Sequence, residues 1–190
     1  GDLLGAEQSG NVASVGFDLF RQMLEDAVHE LRGEPVIHDI EPELSFDVEA
    51  LLPEDYIADI GVRLSFYQRL ASASDEQDVE ELSIEMQDRF GAPPEAALHL
   101  VQLMRQKTEL RRIRVLACEA NARSVVLHLA DDHLLDSEKL IRLVQQRPRA
   151  FQVSPDMRLF RKATEKDAWK NGIEALETML QEIGAVREAR

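Results

Sequence analysis

The chain has 190 residues, 44% of them hydrophobic, and a formal net charge of −14. That apolar content suffices for a real core and excludes wholesale disorder, and no run of about 18 apolar residues is present to span a membrane. Residues 1–60 carry fifteen carboxylates against Arg21 and Arg32, a surface that repels phosphates, disfavours direct duplex binding and suits a basic partner or neighbouring domain, with plain solubility as the competing explanation.

The opening Gly1-Asp2-Leu3-Leu4-Gly5 has neither the basic region nor the apolar stretch of a signal peptide. It also lacks an initiator methionine, so the chain is expected to be an excised or processed piece. Apolar Val12, Val15, Leu19, Met23, Leu24, Ala27, Val28 and Leu31 recur at helical spacing, and Gly33 with Pro35 supplies the stop. Residues 1–33 therefore read as one helical unit, 34–43 as a linker rich in acids and proline, and 44–190 as the main domain.

Leu44, Phe46 and Val48 alternate with polar residues as in a half-buried strand. Ile57, Ile60, Leu64, Tyr67 and Leu70 predict a helix over 54–73. Ser74 with Gln77 has capping-box spacing and opens a helix over 75–90, closed by Gly91. Pro93-Pro94 starts a third helix, reaching about Ile113. The period then changes. Residues 115–120 and 124–130 read as a hairpin turning at Asn121-Ala122-Arg123, and Asp136 caps a short helix ending before Pro148. Phe151, Val153, Met157 and Leu159 predict a second hairpin around Ser154-Pro155-Asp156. Thr164 is expected to cap the last helix, which packs Trp169, Ile173, Leu176 and Ile183 and stops at Gly184. Helices followed by strands mixed with helices give an α+β class.

Little in this sequence speaks of catalysis. There is no phosphate-cradling G-x-x-x-x-G-K-[ST] segment and no nucleophilic G-x-S-x-G elbow. The lone Cys118 rules out an internal disulfide, fits a reducing cytoplasm and has no identifiable base. His128, Asp131, Asp132 and His133 form the one cluster resembling metal ligands, but it falls where a strand runs into a polar loop, so solvated surface is the better reading and a small metal-dependent hydrolase the rival. The expectation is no metal or cofactor in this chain.

The helix over 75–90 stands out for its charge. With Leu82 set at zero and about 100° per residue, Val79 and Met86 fall near 60° and 40°, while Glu81, Glu85 and Asp88 fall near 260°, 300° and 240°. Three carboxylates line the outward face, and Arg89, near the core direction at about 340°, neutralises Glu85 only in part. A solvated face is the plain explanation.

Two stretches carry a resemblance. Gly1-Asp2-Leu3-Leu4-Gly5 through Gln8-Ser9-Gly10, followed by Val15-Gly16-Phe17, looks like the end of a translocation motif. Leu64-Ser65-Phe66-Tyr67-Gln68-Arg69-Leu70-Ala71-Ser72-Ala73 and Asp88-Arg89-Phe90-Gly91 look like the terminal domain of the same family. The chain thus resembles the carboxy-terminal region of bacterial transcription-repair coupling factors, superfamily 2 DNA translocases. The resemblance implies that Gly5, Gln8 and Gly10 are remnants of the motif coupling hydrolysis to stepping. The parent would use ATP and magnesium, push stalled RNA polymerase off DNA and recruit excision repair. It further implies that the terminal domain folds back on an amino-terminal module resembling the repair helicase, competing with the damage-recognition ATPase. Glu85 and Asp88 are expected at the centre of that contact and Glu81 beside it. An autonomous acidic adaptor is the other reading.

Overall fold

The structure, a computed structural model, describes residues 31–32 and 40–184. Leu31 and Arg32 are helical and exposed; the rest of the expected first helix, the linker to residue 39, and Gly5, Gln8 and Gly10 lie outside the described residues. Two compact units emerge, the first holding Val48–Thr108 and the second holding Ile40–Asp47 and the chain from Glu109 onward. The elements in order are β1 (Glu43–Phe46), α1 (Ile60–Ala71), α2 (Glu76–Phe90), α3 (Glu95–Arg112), β2 (Val115–Ala120), β3 (Ser124–Leu129), α4 (Ser137–Gln146), β4 (Phe151–Val153), β5 (Arg158–Lys162) and α5 (Gly172–Ile183). Among the described residues, the five helices α1–α5 and one five-stranded sheet make the fold α+β, as the order of patterns predicts.

The first unit is helical, and side-chain caps set its boundaries. The helix expected from residue 54 begins only at Ile60, because the Pro53 carbonyl accepts from the amides of Tyr56 and Ile57 and closes a turn there. Asp59 is the cap, its Oδ1 accepting from the Val62 amide at 2.9 Å. At α2 the cap is Asp75, not Ser74. Asp75 accepts from the Asp78 amide at 2.9 Å, and Asp78 reaches back to the Ser74 amide at 2.8 Å. This is close to the reciprocal capping arrangement moved by one residue and made by two aspartates, except that the return bond goes to the amide just before the cap. Gly91 ends α2 at φ 83°, a conformation that favours glycine, and donates to the Gln87 carbonyl. The core side of α2 buries Val79, Leu82 and Met86 as the spacing predicts. Ahead of α1, the Leu52 amide donates to the Tyr67 hydroxyl at 2.6 Å, fixing the chain that leads into the helices.

The second unit carries the sheet, ordered β1-β2-β3-β5-β4. β1 pairs parallel with β2, and the other pairs are antiparallel. The registers place Leu44, Cys118, Leu127 and Leu159 in one row and Phe46, Ala120, Val125, Arg161 and Phe151 in the next. All are buried, so alternation gives the sheet one closed face. Asn121 Oδ1 accepts from the Arg123 and Ser124 amides and forms the β2–β3 turn expected there. α5 packs on β2 and β3. Gly172 permits the close approach, since a Cβ there would run into the Ala120 carbonyl.

Two expectations fail in this unit. Thr164 does not cap the last helix: its amide and hydroxyl both donate to Asp167 Oδ2, and Asn171 caps α5 instead. Trp169 thus precedes the helix and donates its Nε1–H to Thr178 Oγ1. Met157, expected inside a strand, sits in the turn at φ 63°. The inward positions of β5 are Leu159 and Arg161. Arg161 is 1% exposed, bound by Asp167 at 2.9 and 3.1 Å and by Glu182 at 2.8 and 3.1 Å, with Phe151 and Trp169 ring centroids 5.4 and 4.9 Å from its guanidinium carbon. A buried arginine survives only with its donors filled, and here two carboxylates and the Lys162 carbonyl fill them.

Candidate interaction face

α2 distributes its carboxylates over three directions. Glu76 and Glu80, near 120° and 160° on the helical wheel of about 100° per residue, turn toward α3, where Arg105 meets them at 3.5 and 2.5 Å. Glu85 turns the other way, toward α1. Its carboxylate lies 2.5 Å from Arg69 and 3.9 Å from Arg89, one oxygen facing each guanidinium. Glu81 and Asp88 remain outward and exposed. Glu81 accepts from Gln77 at 3.4 Å, and no ion pair holds Asp88 among the described residues. Ile84, on the same outward arc, is 51% exposed.

Glu85 therefore departs from its expected setting. Besides Arg89 of its own helix, a second cation reaches it from α1: Arg69 stands sixteen residues before Glu85, beyond any spacing rule confined to one helix. Arg69 is itself placed by stacking, its guanidinium 5.2 Å from the Phe66 centroid, and Arg89 lies 5.4 Å from Phe66 and 5.0 Å from Phe90. Phe90 meets both Tyr56 and Phe66 edge-on at 6.0 Å, and the Tyr56 hydroxyl donates to the Gly91 carbonyl. The end of α2 that carries Asp88 is thus pinned by an aromatic cluster and a backbone bond. Asp88 is an open carboxylate on a rigid base, with a two-arginine, one-carboxylate cluster beside it. The sequence reading passed over Ile84, which the same helical angles put at about 200° on the outward arc, and no spacing rule shows Arg69, which only packing brings to α2.

The residues with the look of metal ligands are held otherwise. Asp132 lies 2.9 Å from Arg114, whose hydrogen bond keeps the Asp132 carboxyl below the usual carboxylate range. His133 Nδ1 accepts from the Leu135 amide at 3.2 Å, and His128 stands on β3. No three such side chains converge among the described residues. Cys118 is buried in β2, where desolvation pushes its thiol pKa well up, the opposite of what a nucleophile needs. The second unit also has an apolar cavity of about 370 Å³ between α4 and the β4–β5 hairpin, lined by Leu129, Leu140, Ile141, Val144, Val153 and Met157 among others. Among the described residues no helix is long and apolar enough to cross a membrane.

Comparison with known proteins gives a single answer. A family model described as the TRCF domain matches residues 46–140, a span containing the whole of α2. The transcription-repair-coupling factor of Myxococcus xanthus is 36% identical over 96% of this chain, and that of Escherichia coli K12 is 35% identical over 84%. That of Bacillus subtilis 168 is 34% identical over 77%. The chain spans only 15%, 14% and 13% of these relatives' lengths. A solved structure described as the C-terminal domain of transcription-repair coupling factor shares the fold with a TM-score of 0.60, at 21% identity, over 75% of this chain and 93% of that one. The chain belongs to the transcription-repair coupling factor family, carrying its TRCF domain in the fold of the family's C-terminal domain.

Proposed function

We propose that this chain is the regulatory end of an ATP-driven DNA translocase that couples transcription to excision repair, acting in the cytoplasm. The outward face of α2 grips an amino-terminal, repair-helicase-like module of the same protein and masks the surface that recruits the damage-recognition ATPase. The ATP and magnesium site and the contacts with RNA polymerase and DNA belong to other parts of the parent; this chain contributes no nucleotide chemistry. Gly5, Gln8 and Gly10 contribute the end of the translocation motif.

The observation that carries this reading is Asp88, exposed and without an ion pair among the described residues, on a helix end fixed by Tyr56, Phe66 and Phe90. Glu81 adds a second outward carboxylate on the same face. Fixed charges at a surface select a partner of opposite sign and set its register. A clasp of this kind must yield when the parent engages its target, so a coupling of about 1–3 kcal/mol fits the role. The test is a pull-down of this chain with the separated amino-terminal module at low and high salt. Retention that weakens with salt supports the reading; no retention at low salt removes it.

A further inference from the structure

We infer that Arg69 is an internal competitor for the clasp: it holds Glu85 back from a partner cation and so keeps the closed state weak enough to release. The inference rests on the proposed α2 contact and goes on to its regulation. Glu85 lies between Asp88 and the body of the unit, near enough to the outward face to share a cation with it, yet its oxygens already face Arg69 at 2.5 Å and Arg89 at 3.9 Å. The two arginines are 46% and 47% exposed, and Glu85 is 36% exposed. The three side chains are part-exposed, but the Glu85 oxygen that faces Arg69 is itself covered, so a partner cation reaches it only when Arg69 swings aside. An approaching cation finds Asp88 open, but it must displace Arg69 to use Glu85 and meets two like charges in doing so.

Arg69 is suited to yield. Its guanidinium rests over the Phe66 ring at 5.2 Å, so it keeps one favourable contact when Glu85 turns away. Arg89 has the same support from Phe66 and Phe90. Glu85 thereby has two settings of similar free energy: paired within the unit, or shared with the partner. Each pair is exposed enough to be worth little alone, which lets a small change in the surroundings move the balance.

The sign of the Arg69 effect separates this device from a merely structural ion pair. If Arg69 only braced α1 against α2, replacing it would loosen the face and open the clasp. If it competes for Glu85, replacing it tightens the clasp. The experiment uses the full-length parent and reads the apparent Kd for the damage-recognition ATPase, which rises as the closed population rises. Arg69→Gln is expected to raise that Kd about two- to five-fold, the range an exposed pair commands. The effect is expected to vanish in the Glu85→Gln background, since Arg69 acts through Glu85.

Asp88→Lys serves as the control for the contact itself and is expected to lower the same Kd. An unchanged Kd with Asp88→Lys overturns the clasp reading, and with it this inference. A lowered Kd with Asp88→Lys, but an unchanged or lowered Kd with Arg69→Gln, overturns the competitor role alone. An Arg69→Gln effect that persists in the Glu85→Gln background also overturns it. Thermal melting of each variant checks folding, and Arg69→Lys is the second variant if Arg69→Gln melts early: it keeps the charge but not the planar stack, and a wild-type Kd is expected.

Discussion

Replacing Asp167 with asparagine probes the feature least visible in the sequence, the buried Arg161. Burial pushes the Asp167 carboxyl up, but hydrogen bonds from Arg161 and from the Thr164 amide and hydroxyl, with the Arg161 charge, outweigh it and bring the pKa from 3.8 down to about 2. The side chain is only 10% exposed, so solvent screening takes little from the interaction. At about 1.4 kcal/mol per pKa unit the depression corresponds to roughly 2 kcal/mol. Because the folded pKa is the lower one, this stability is present above pH 4 and is lost as pH falls from about 4 to about 2. Asp167→Asn is therefore expected to cost about 2 kcal/mol at pH 7, with Glu182 still holding part of Arg161. The chain's single tryptophan, Trp169, has its ring 4.9 Å from the Arg161 guanidinium and reports unfolding of this unit by fluorescence. In urea the midpoint at pH 7 is expected to fall by about 1 M. The gap between variant and wild type should then close as pH falls from 4 to 2. An unchanged midpoint at pH 7, or a gap that stays constant down to pH 2, would refute the argument.

Two further expectations concern the second unit. Gly172→Ala places a Cβ against the Ala120 carbonyl, where backbone rather than a flexible side chain must move, and should destabilise by about 1–3 kcal/mol in the same fluorescence assay; wild-type stability would contradict the close approach of α5 to β2. Cys118 should resist thiol reagents in the native chain and react only as β2 opens, so its labelling rate should rise with urea. Rapid labelling without denaturant would contradict its burial.

Much of the fold was legible because apolar spacing repeats faithfully. Val79, Leu82 and Met86 marked the buried side of α2, and the stretch 124–130 read as a strand is β3, with Val125, Leu127 and Leu129 buried. Helix starts were harder, since several residues compete for each cap. Asp59 and Asp75 cap α1 and α2, whereas Thr164, which has the right chemistry, is drawn into a turn by Asp167. Arg161 broke the pattern because an inward charge looks like an outward one until its carboxylates are found. The same blindness applied to the α2 face. Angles along one helix separated core from surface correctly, but they had no means of showing that Arg69 crosses from α1 to Glu85. That contact divides the expected acidic face into an occupied Glu85 and an open Asp88 with Glu81.

The most direct test of the proposed clasp is the binding of the damage-recognition ATPase to full-length parent protein carrying Asp88→Lys. Asp88 makes no ion pair among the described residues, so folding should be untouched while the face loses its open charge. The account predicts tighter binding of the ATPase than by the wild-type parent. Binding equal to wild type, with an unchanged melting temperature, would contradict it.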